Sequence, residues 1–467
     1  MISFGTDGWR ALIAQDYTFE NVAKCAQGVA EYINQNDGLP KSIVVGYDTR
    51  FLSAQFATRV TQVLVSNGIK VFWIDSPTPT PVITYMITHY GAGGGIIITA
   101  SHNPYDWNGF KFKSHIGGSA SQEIIDQIER YANSANPSGD LVDLENSELI
   151  EYIPAKKVYT DHVNTVVDIT TVKNANLNVL VDCMYGSGID YLTDILSGSS
   201  TQITQIHNNI NPSFPGIGHP EPIRQNLVEL MNEVNSDVMI DLGLAFDGDA
   251  DRIGLIDEQG RYISTLDSFS LLVYYFLAYK NYRGAIVKSI THSDMINKLC
   301  NAYNVEVYET AVGFKNLGPK MIATNAVLAG EESGGFAFRD SVPERDGILS
   351  ALYLLEFVAN TGRNCSDLLE ELYQIVGPHV YSRTDIVLNE EQRNKITLFD
   401  AASIPMETFP IKINQINTVD GVKLIGDAGW VAYRLSGTEP LLRIYSESDS
   451  QQSVDSLIDH VRTVLGV

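Results

Sequence analysis

Three acids, Asp247, Asp249 and Asp251, alternate through the stretch Asp-Gly-Asp-Ala-Asp-Arg at 247–252. On an irregular loop, carboxylates at i, i+2 and i+4 can converge on one hard cation through oxygen ligands, and without a cation they would repel strongly. An EF-hand calcium loop would place Glu258 at its twelfth position, but its sixth position needs Gly and here holds Arg252. Residues 253–257 also read as a strand, not as a helix entry. Magnesium, with a substrate phosphate completing its shell, is the natural cation for this set.

A second stretch, Thr99-Ala100-Ser101-His102-Asn103-Pro104, directly follows the apolar run 95–99. A strand that ends in a polar, Pro-broken loop presents its side chains at the carboxyl edge of a sheet, where α/β enzymes bind ligands. Ser101 and His102 would sit at that edge, and Asn108-Gly109-Phe110-Lys111 brings a lysine close to it. Taken alone, the loop reads equally well as a turn cluster. A third stretch, Gly330-Glu331-Glu332-Ser333-Gly334-Gly335, offers two acids and a serine between glycines, which suits sugar hydroxyls; alone it is an ordinary acidic turn. A fourth, Arg434-Leu435-Ser436-Gly437-Thr438-Glu439-Pro440 followed by Arg443, supplies two fork-shaped cations suited to a phosphate. Ser436, Thr438 and the N–H groups around Gly437 can complete an anion nest. There is no Gly-x-x-x-x-Gly-Lys-Ser/Thr sequence, and the glycine run 91–95 precedes its strand, so both nucleotide-binding fingerprints fail.

The elements that must hold these loops follow from periodicity. Residues 19–34 and 53–67 carry apolar residues at helical spacing, and 42–47, 70–74 and 95–99 read as buried strands. Strands separated by such helices imply a parallel sheet with helices on both faces. Residues 134–155 are polar and acidic and read as a linker. A second α/β unit opens with strand 177–182 and closes near 252–257. A third contains helix 266–279, strand 285–288, helix 294–303 and the apolar helix 348–358. The last segment has strands at 381–388 and 430–435 and a helix at 453–464. Four domains result: 1–150, 151–257, 258–376 and 377–467, the last a smaller α+β unit.

Composition narrows the classes. The 467 residues carry 32 Lys+Arg against 56 Asp+Glu, a net charge of −24. So acidic a surface argues against a nucleic-acid binder or a protein held on anionic lipid, and an anionic ligand would need the basic residues gathered in one place. The four cysteines are far apart with no CxxC pair, which fits a reducing cytoplasm. The first ten residues contain Asp7 and Arg10 and no apolar signal core. The longest apolar run, 269–279, is too short for a bilayer, which needs roughly 20 residues.

Taken in order, the four loops resemble those of the α-D-phosphohexomutase family: a TASHNP phosphoserine loop, a DGDxDR metal loop, a GE-x-S-G sugar loop and an RxSGTEP phosphate loop. The opening Phe4-Gly5-Thr6-Asp7-Gly8-Trp9-Arg10 also resembles the family's N-terminal FGTxGxR. The resemblance spans nearly the whole chain. It implies four domains around a central cleft, three of them mixed α/β units of shared topology, with the fourth swinging to open and close the cleft. It implies transfer of a phosphoryl group between C1 and C6 of a hexose through a phosphorylated Ser101 and a hexose 1,6-bisphosphate that reorients within the site. Mg²⁺ would be held by Asp247, Asp249 and Asp251 and would touch the Ser101 phosphate. Arg10 and Arg252 would neutralise phosphate oxygens. Lys111 or His102 would act as the base, with Lys111 weakly favoured. Glu331 and Ser333 would hold the sugar hydroxyls, Lys315 in Thr310-Ala311-Val312-Gly313-Phe314-Lys315 would assist, and Lys288 is a weaker pick. Arg434, Ser436, Gly437, Thr438 and Arg443 would clamp the remote phosphate. Family members acting on mannose or glucosamine phosphates often have His where this chain has Gly335, so the loop leans towards glucose. Mannose or glucosamine phosphates are the alternatives, and a metal-dependent sugar phosphatase or a silent sugar-phosphate binder are the competing classes. Sugar phosphates are the expected partners, with no nucleic acid or membrane, and the protein is expected to be a monomer or homodimer.

Overall fold

The computed structural model describes residues 1–5, 7–137, 147–397, 404–436 and 440–467. Four sheets follow one another along the chain. The first runs, edge to edge, Trp9–Leu12, Trp107–Ser114, Gly94–Ile98, Ser42–Tyr47, Lys70–Trp73 and Ile150–Tyr152. Its central strands Ser42–Tyr47 and Gly94–Ile98 are buried along their whole length, as continuous apolar runs in parallel strands should be. The second sheet is ordered Tyr262–Ile263, Ile253–Ile256, Leu242–Phe246, Asn178–Asp182 and Gln202–Ile206. The third is ordered Val307–Thr310, Ile286–Ser289, Leu328–Gly330 and Phe336–Phe338.

These three sheets share one plan. In each, a central strand (Ser42–Tyr47, Asn178–Asp182 or Ile286–Ser289) is flanked on both sides by parallel partners. The second of these partners then pairs antiparallel with the strand that follows it. The sheets are therefore mixed rather than wholly parallel. The three loops that begin at Thr99, Asp247 and Glu331 occupy the same place: the connection from the third parallel strand to its antiparallel neighbour. The fourth sheet is antiparallel throughout, ordered Val380–Val387, Leu441–Ser448, Gly429–Leu435, Val422–Gly426 and Ile413–Asn417. The closing helix Gln451–Leu465 buries Val454, Leu457, Ile458, Val461 and Leu465. The molecule is thus three mixed α/β units and a smaller α+β unit.

One apolar core runs through the first three units, joining residues such as Val82, Leu244 and Leu352, whereas the fourth has a core of its own. Polar contacts join the fourth unit to the third. Lys423 Nζ lies 2.9 Å from Glu309 and 3.6 Å from Asp294, and Lys288 Nζ lies 3.2 Å from each of the same two acids.

Two elements differ from the sequence reading. Within the expected linker 134–155, residues 138–146 lie outside the described residues, but Ile150–Tyr152 pairs parallel with Lys70–Trp73 and extends the first sheet. Three residues at an exposed edge carry too little apolar pattern to be read as a strand. The expected helix 266–279 is α-helical over Thr265–Tyr274 and continues as a π turn over Tyr275–Tyr279. There Tyr275 stacks on Phe357 at 4.7 Å, a tertiary contact that apolar spacing alone does not report. Among the described residues, no helix is long and apolar enough to cross a membrane.

Candidate active site

The Ser101 loop and the acidic loop meet. Ser101 Oγ donates to Asp247 Oδ2 at 2.9 Å and lies 3.2 Å from His102 Nδ1. The approach needs glycine: a Cβ on Gly248 would lie 2.5 Å from the Ser101 carbonyl oxygen. Ser101 has φ 51°, a left-handed conformation unusual for a residue with a side chain, and its N–H donates to Thr99 Oγ1 at 2.8 Å.

Asp247, Asp249 and Asp251 are fully buried and offer ligand oxygens within 4.8 Å of one another. Asp247 Oδ1 accepts the N–H groups of Asp251 and Arg252 at 2.9 and 3.1 Å, which closes the loop on itself. Thr80 Oγ1 donates to Asp249 Oδ2 at 2.6 Å. Asp249 Oδ1 and Asp251 Oδ1 are buried without a hydrogen-bond donor. Burial and the neighbouring Asp251 and Asp249 push the Asp247 carboxyl well up. Three hard oxygen donors at this separation, two with buried oxygens lacking donors, fit a divalent cation of the magnesium type.

Cations ring the acids. Lys111 Nζ lies 2.8 Å from Asp249, 2.9 Å from Asp7 and 3.7 Å from Asp251. Burial alone would lower the Lys111 pKa, but these carboxylates reverse the shift and raise it. With no cation on the aspartates, these acids hold Lys111 as an ammonium. His102 is pushed well down by burial and then by the charges of Arg252 and Arg10, which leaves a neutral imidazole beside the Ser101 hydroxyl. Arg10 Nη1 donates to Asn103 Oδ1 at 2.7 Å, and Arg252 Nη1 to Glu221 Oε1 at 2.7 Å.

The third loop joins this centre through Arg345, whose Nη2 is 2.8 Å from Asp251 and 2.7 Å from Asp7. Glu331 Oε1 accepts the Gly313 N–H at 2.7 Å, while Ser333 is half-buried on the same loop. Lys315 lies in the first turn of the helix Phe314–Thr324, and its Nζ donates to Gln122 Oε1 at 3.0 Å, away from the acids. Lys288 is engaged between Glu309 and Asp294 at the border with the fourth unit, so it does not reach the Ser101 centre. In the fourth unit Arg434 and Arg443 are directly paired across adjacent strands, which puts both side chains on one face. Arg434 Nε is 3.1 Å from Asp420, which also accepts the Val312 N–H at 3.0 Å, and Arg443 Nε is 3.7 Å from Asp385. The buried Ser436 donates its N–H to the Leu441 carbonyl at 2.8 Å. Gly437, Thr438 and Thr6 lie outside the described residues. The structure thus unites Ser101, His102, Lys111, the three aspartates, Arg10 and Arg252, links Glu331 to them through Arg345, and holds the Arg434–Arg443 pair apart on the fourth unit.

Glu331 titrates in an unusual range. Burial, opposed by Arg345, raises its carboxyl to about 7 from an ordinary 4.5. The folded chain then holds a proton that the unfolded chain releases, so this group's contribution to stability is complete below about 4.5 and is lost as pH rises through about 7. Melting temperatures of wild type minus Glu331→Gln should therefore fall across that window. A pH-independent difference would refute the assignment.

Sequence reasoning missed Arg50. Its guanidinium, 3% exposed, donates to the carbonyls of Ser101 and Asn103 at 2.6 Å each, Pro104 at 2.7 Å and Trp107 at 3.1 Å. It also lies 3.3 Å from Asp48 and 5.0 Å from the Phe214 ring centroid in the second unit. One cation therefore pins most of the backbone of the serine loop. Its signal was an Arg just past a buried strand, in Tyr47-Asp48-Thr49-Arg50. Asp7 and Arg345 were missed as well; Asp7 lies inside a quoted motif, but the ion network that uses it is visible only in three dimensions. Arg50→Met should lower kcat about 100-fold with KM nearly unchanged, because a misplaced nucleophile loses rate rather than binding. A rise in KM alone, measured by steady-state kinetics, would contradict this positioning role.

Comparison with known proteins agrees with this arrangement. Four phosphoglucomutase/phosphomannomutase families match in order: alpha/beta/alpha domain I over residues 1–138, domain II over 157–260, domain III over 267–376 and the C-terminal domain over 393–464. A Methanobrevibacter smithii protein named "Probable phosphoglucosamine mutase" is 31% identical over 97% of this chain and 96% of its own length. A phosphoglucomutase/phosphomannomutase of Thermococcus kodakarensis is 29% identical over 98% of this chain and 96% of its own. The crystal structure of a phosphomannomutase homologue from Thermus thermophilus superposes with TM-score 0.86 at 29% identity, covering 100% of this chain and 99% of that one.

Proposed function

The chain belongs to the α-D-phosphohexomutase family, the enzymes grouped as phosphoglucomutases and phosphomannomutases, and from that premise we propose that it interconverts glucose 1-phosphate and glucose 6-phosphate through a phosphorylated Ser101 and glucose 1,6-bisphosphate. The observation that carries the reading is Ser101 Oγ seated 2.9 Å from Asp247, inside a buried acid cluster ringed by cations.

Direct transfer between C1 and C6 is geometrically hard, because the two oxygens lie on opposite sides of the sugar. A serine that donates and takes back the group solves this. The free hydroxyl attacks the phosphorus on Ser101; the sugar O–P bond forms and the P–Oγ bond breaks. The hydroxyl proton passes to the base, Lys111 or His102, which returns it to Ser101 Oγ. The bisphosphate turns by about half a turn, and Ser101 takes back the other phosphate by the reverse steps. Phosphoryl transfer is mostly positioning and charge neutralisation, and Arg10 and Arg252 supply fixed positive charge. When bound, Mg²⁺ on Asp247, Asp249, Asp251 and the Ser101 phosphate would neutralise charge on the transferring group. Glu331 and Ser333 would hold the sugar hydroxyls, and Lys315, which bonds Gln122 in this structure, would assist. Arg434, Ser436, Gly437, Thr438 and Arg443 would hold the remote phosphate.

On this reading the chain divides into domains 1–150, 151–257, 258–376 and 377–467 and acts in the cytoplasm; four free, buried cysteines support a reducing compartment. The names of the relatives favour a second reading of the same site, with mannose or glucosamine phosphate as the sugar. A coupled assay tests the proposal: glucose 6-phosphate should appear from glucose 1-phosphate and be stimulated by catalytic glucose 1,6-bisphosphate. Release of free phosphate without isomerisation would make the protein a phosphatase instead.

A further inference from the structure

In the second unit, residues 207–227 run from the strand Gln202–Ile206 to the helix Val228–Ser236 without forming a helix or strand of their own. Irregular connections of that length inside a compact unit are uncommon and usually have a task. Between 208 and 220 the chain is buried at three residues, Phe214, Ile217 and Pro220. Ile217 packs into the core of its own unit beside Leu180 and Leu227, and the Pro220 carbonyl accepts the Gly248 N–H at 3.1 Å. Phe214 is different. It is 1% exposed, yet among the described residues it belongs to none of the apolar cores and stacks on no other ring. Its neighbour is a charge: Arg50 Cζ, from the first unit, lies 5.0 Å from the ring centroid.

The backbone delivers this ring at a cost. Phe214 has φ 45° and precedes Pro215, a left-handed conformation that persists only where the surroundings dictate it. Asn211 sets the turn, its carbonyl accepting the Phe214 N–H at 3.1 Å and its Oδ1 the Ser213 N–H at 3.2 Å. Arg50 shows what the ring meets. The N–H groups of a guanidinium lie in its plane, and here they serve carbonyls of the serine loop. Those bonds hold the group within its plane but leave its faces uncovered, and the side chain is fully buried from water. The negative face of a phenyl ring complements a desolvated guanidinium there and resists its tilting. Tilting would carry the Ser101 and Asn103 carbonyls with it, since both accept from Nη2. We propose that Phe214 is a positioning residue for the nucleophile: reaching over from the unit that holds the acids, its ring seats Arg50 and, through Arg50, fixes the Ser101 loop in register with those acids. The inference rests on the phosphohexomutase reading and deepens it.

The test is steady-state kinetics of wild type, Phe214→Leu, Arg50→Met and the double variant, on whichever of glucose, mannose and glucosamine 1-phosphate wild type isomerises fastest. Phe214→Leu keeps an apolar side chain but removes the ring face. Its kcat should fall about 10-fold with KM within about twofold, because a displaced nucleophile loses rate rather than binding. Added to Arg50→Met, the same substitution should cost less than about twofold more, since the ring then has no guanidinium to seat. Pentafluorophenylalanine at position 214 keeps a ring of similar shape while reversing the charge of its face. It should lower kcat as well, and it decides the matter if Phe214→Leu does not fold by circular dichroism. An unchanged kcat in Phe214→Leu would overturn the proposal. So would the full loss repeated in the Arg50→Met background, which would make the ring a packing element independent of Arg50, or a kcat indifferent to fluorination. If wild type isomerised none of these sugar phosphates, the phosphohexomutase reading would fall and take this inference with it, a failure distinct from an active enzyme insensitive to Phe214.

Discussion

Ser101→Ala should lose mutase turnover, with kcat falling by about 10⁴ or more, since removing a covalent nucleophile removes the route and not one contact along it. Mutase chemistry needs an atom of the protein to carry the phosphoryl group while the sugar turns, and Ser101 Oγ is the hydroxyl that meets the acid cluster. The substitution should leave the scaffold in place. The Ser101 backbone is held by its N–H to Thr99 and by the Arg50 donors on its carbonyl, contacts that alanine keeps. Thermal melting should therefore change little, and sugar bisphosphate binding, measured by calorimetry, should persist. Intact-protein mass after incubation with glucose 1,6-bisphosphate should show a phosphoryl adduct on wild type and none on the variant. An active Ser101→Ala enzyme would remove the basis of the mechanism.

The second large effect concerns the acids. Asp247→Asn should cut kcat by about 10³, the scale expected when several kcal/mol of charge stabilisation on a transferring group is lost. Chelation of wild type should do the same, and added Mg²⁺ should restore wild type but not the variant. Stability should move the other way. Three buried carboxylates within 4.8 Å repel one another, so replacing one of them by a neutral isostere should raise the melting temperature of the metal-free protein. Activity down with metal-free stability up is a signature that a merely scaffolding aspartate would not give. If Asp247→Asn lost both together, the cluster would be a structural ion network and not a cation site.

Much of this centre is legible in the sequence, because chemistry restricts the loops more than packing does. Three alternating aspartates, a Ser-His-Asn-Pro turn after an apolar strand and paired arginines near a Ser-Gly-Thr each state a requirement in residue type and spacing. What escaped the reading was long-range pairing. Lys111 and Lys113 lie on Trp107–Ser114, a buried strand that their charges disguise; each is neutralised by acids distant in sequence, Lys111 by Asp249 and Lys113 by Glu344. Arg50 and Arg345 look like ordinary surface charges until the fold wraps carbonyls and carboxylates around them. The choice between Lys111 and His102 was open for the same reason, since a lysine's protonation depends on neighbours the sequence does not announce. Strands such as Ser42–Tyr47 and Gly94–Ile98 were visible because a short, uninterrupted apolar run belongs in a strand covered on both faces.

The common strand order of the first three units has an evolutionary and practical corollary. Since the loops proposed to carry the nucleophile, the cation ligands and the sugar contacts each depart from an equivalent connection of the same framework, one loop can vary in sequence without rearming the others. Such a design separates the choice of substrate from the chemistry performed on it, and new sugar ranges are within reach by exchanging residues 331–335 while Arg345, which is ion-paired to Asp251 and Asp7, is kept.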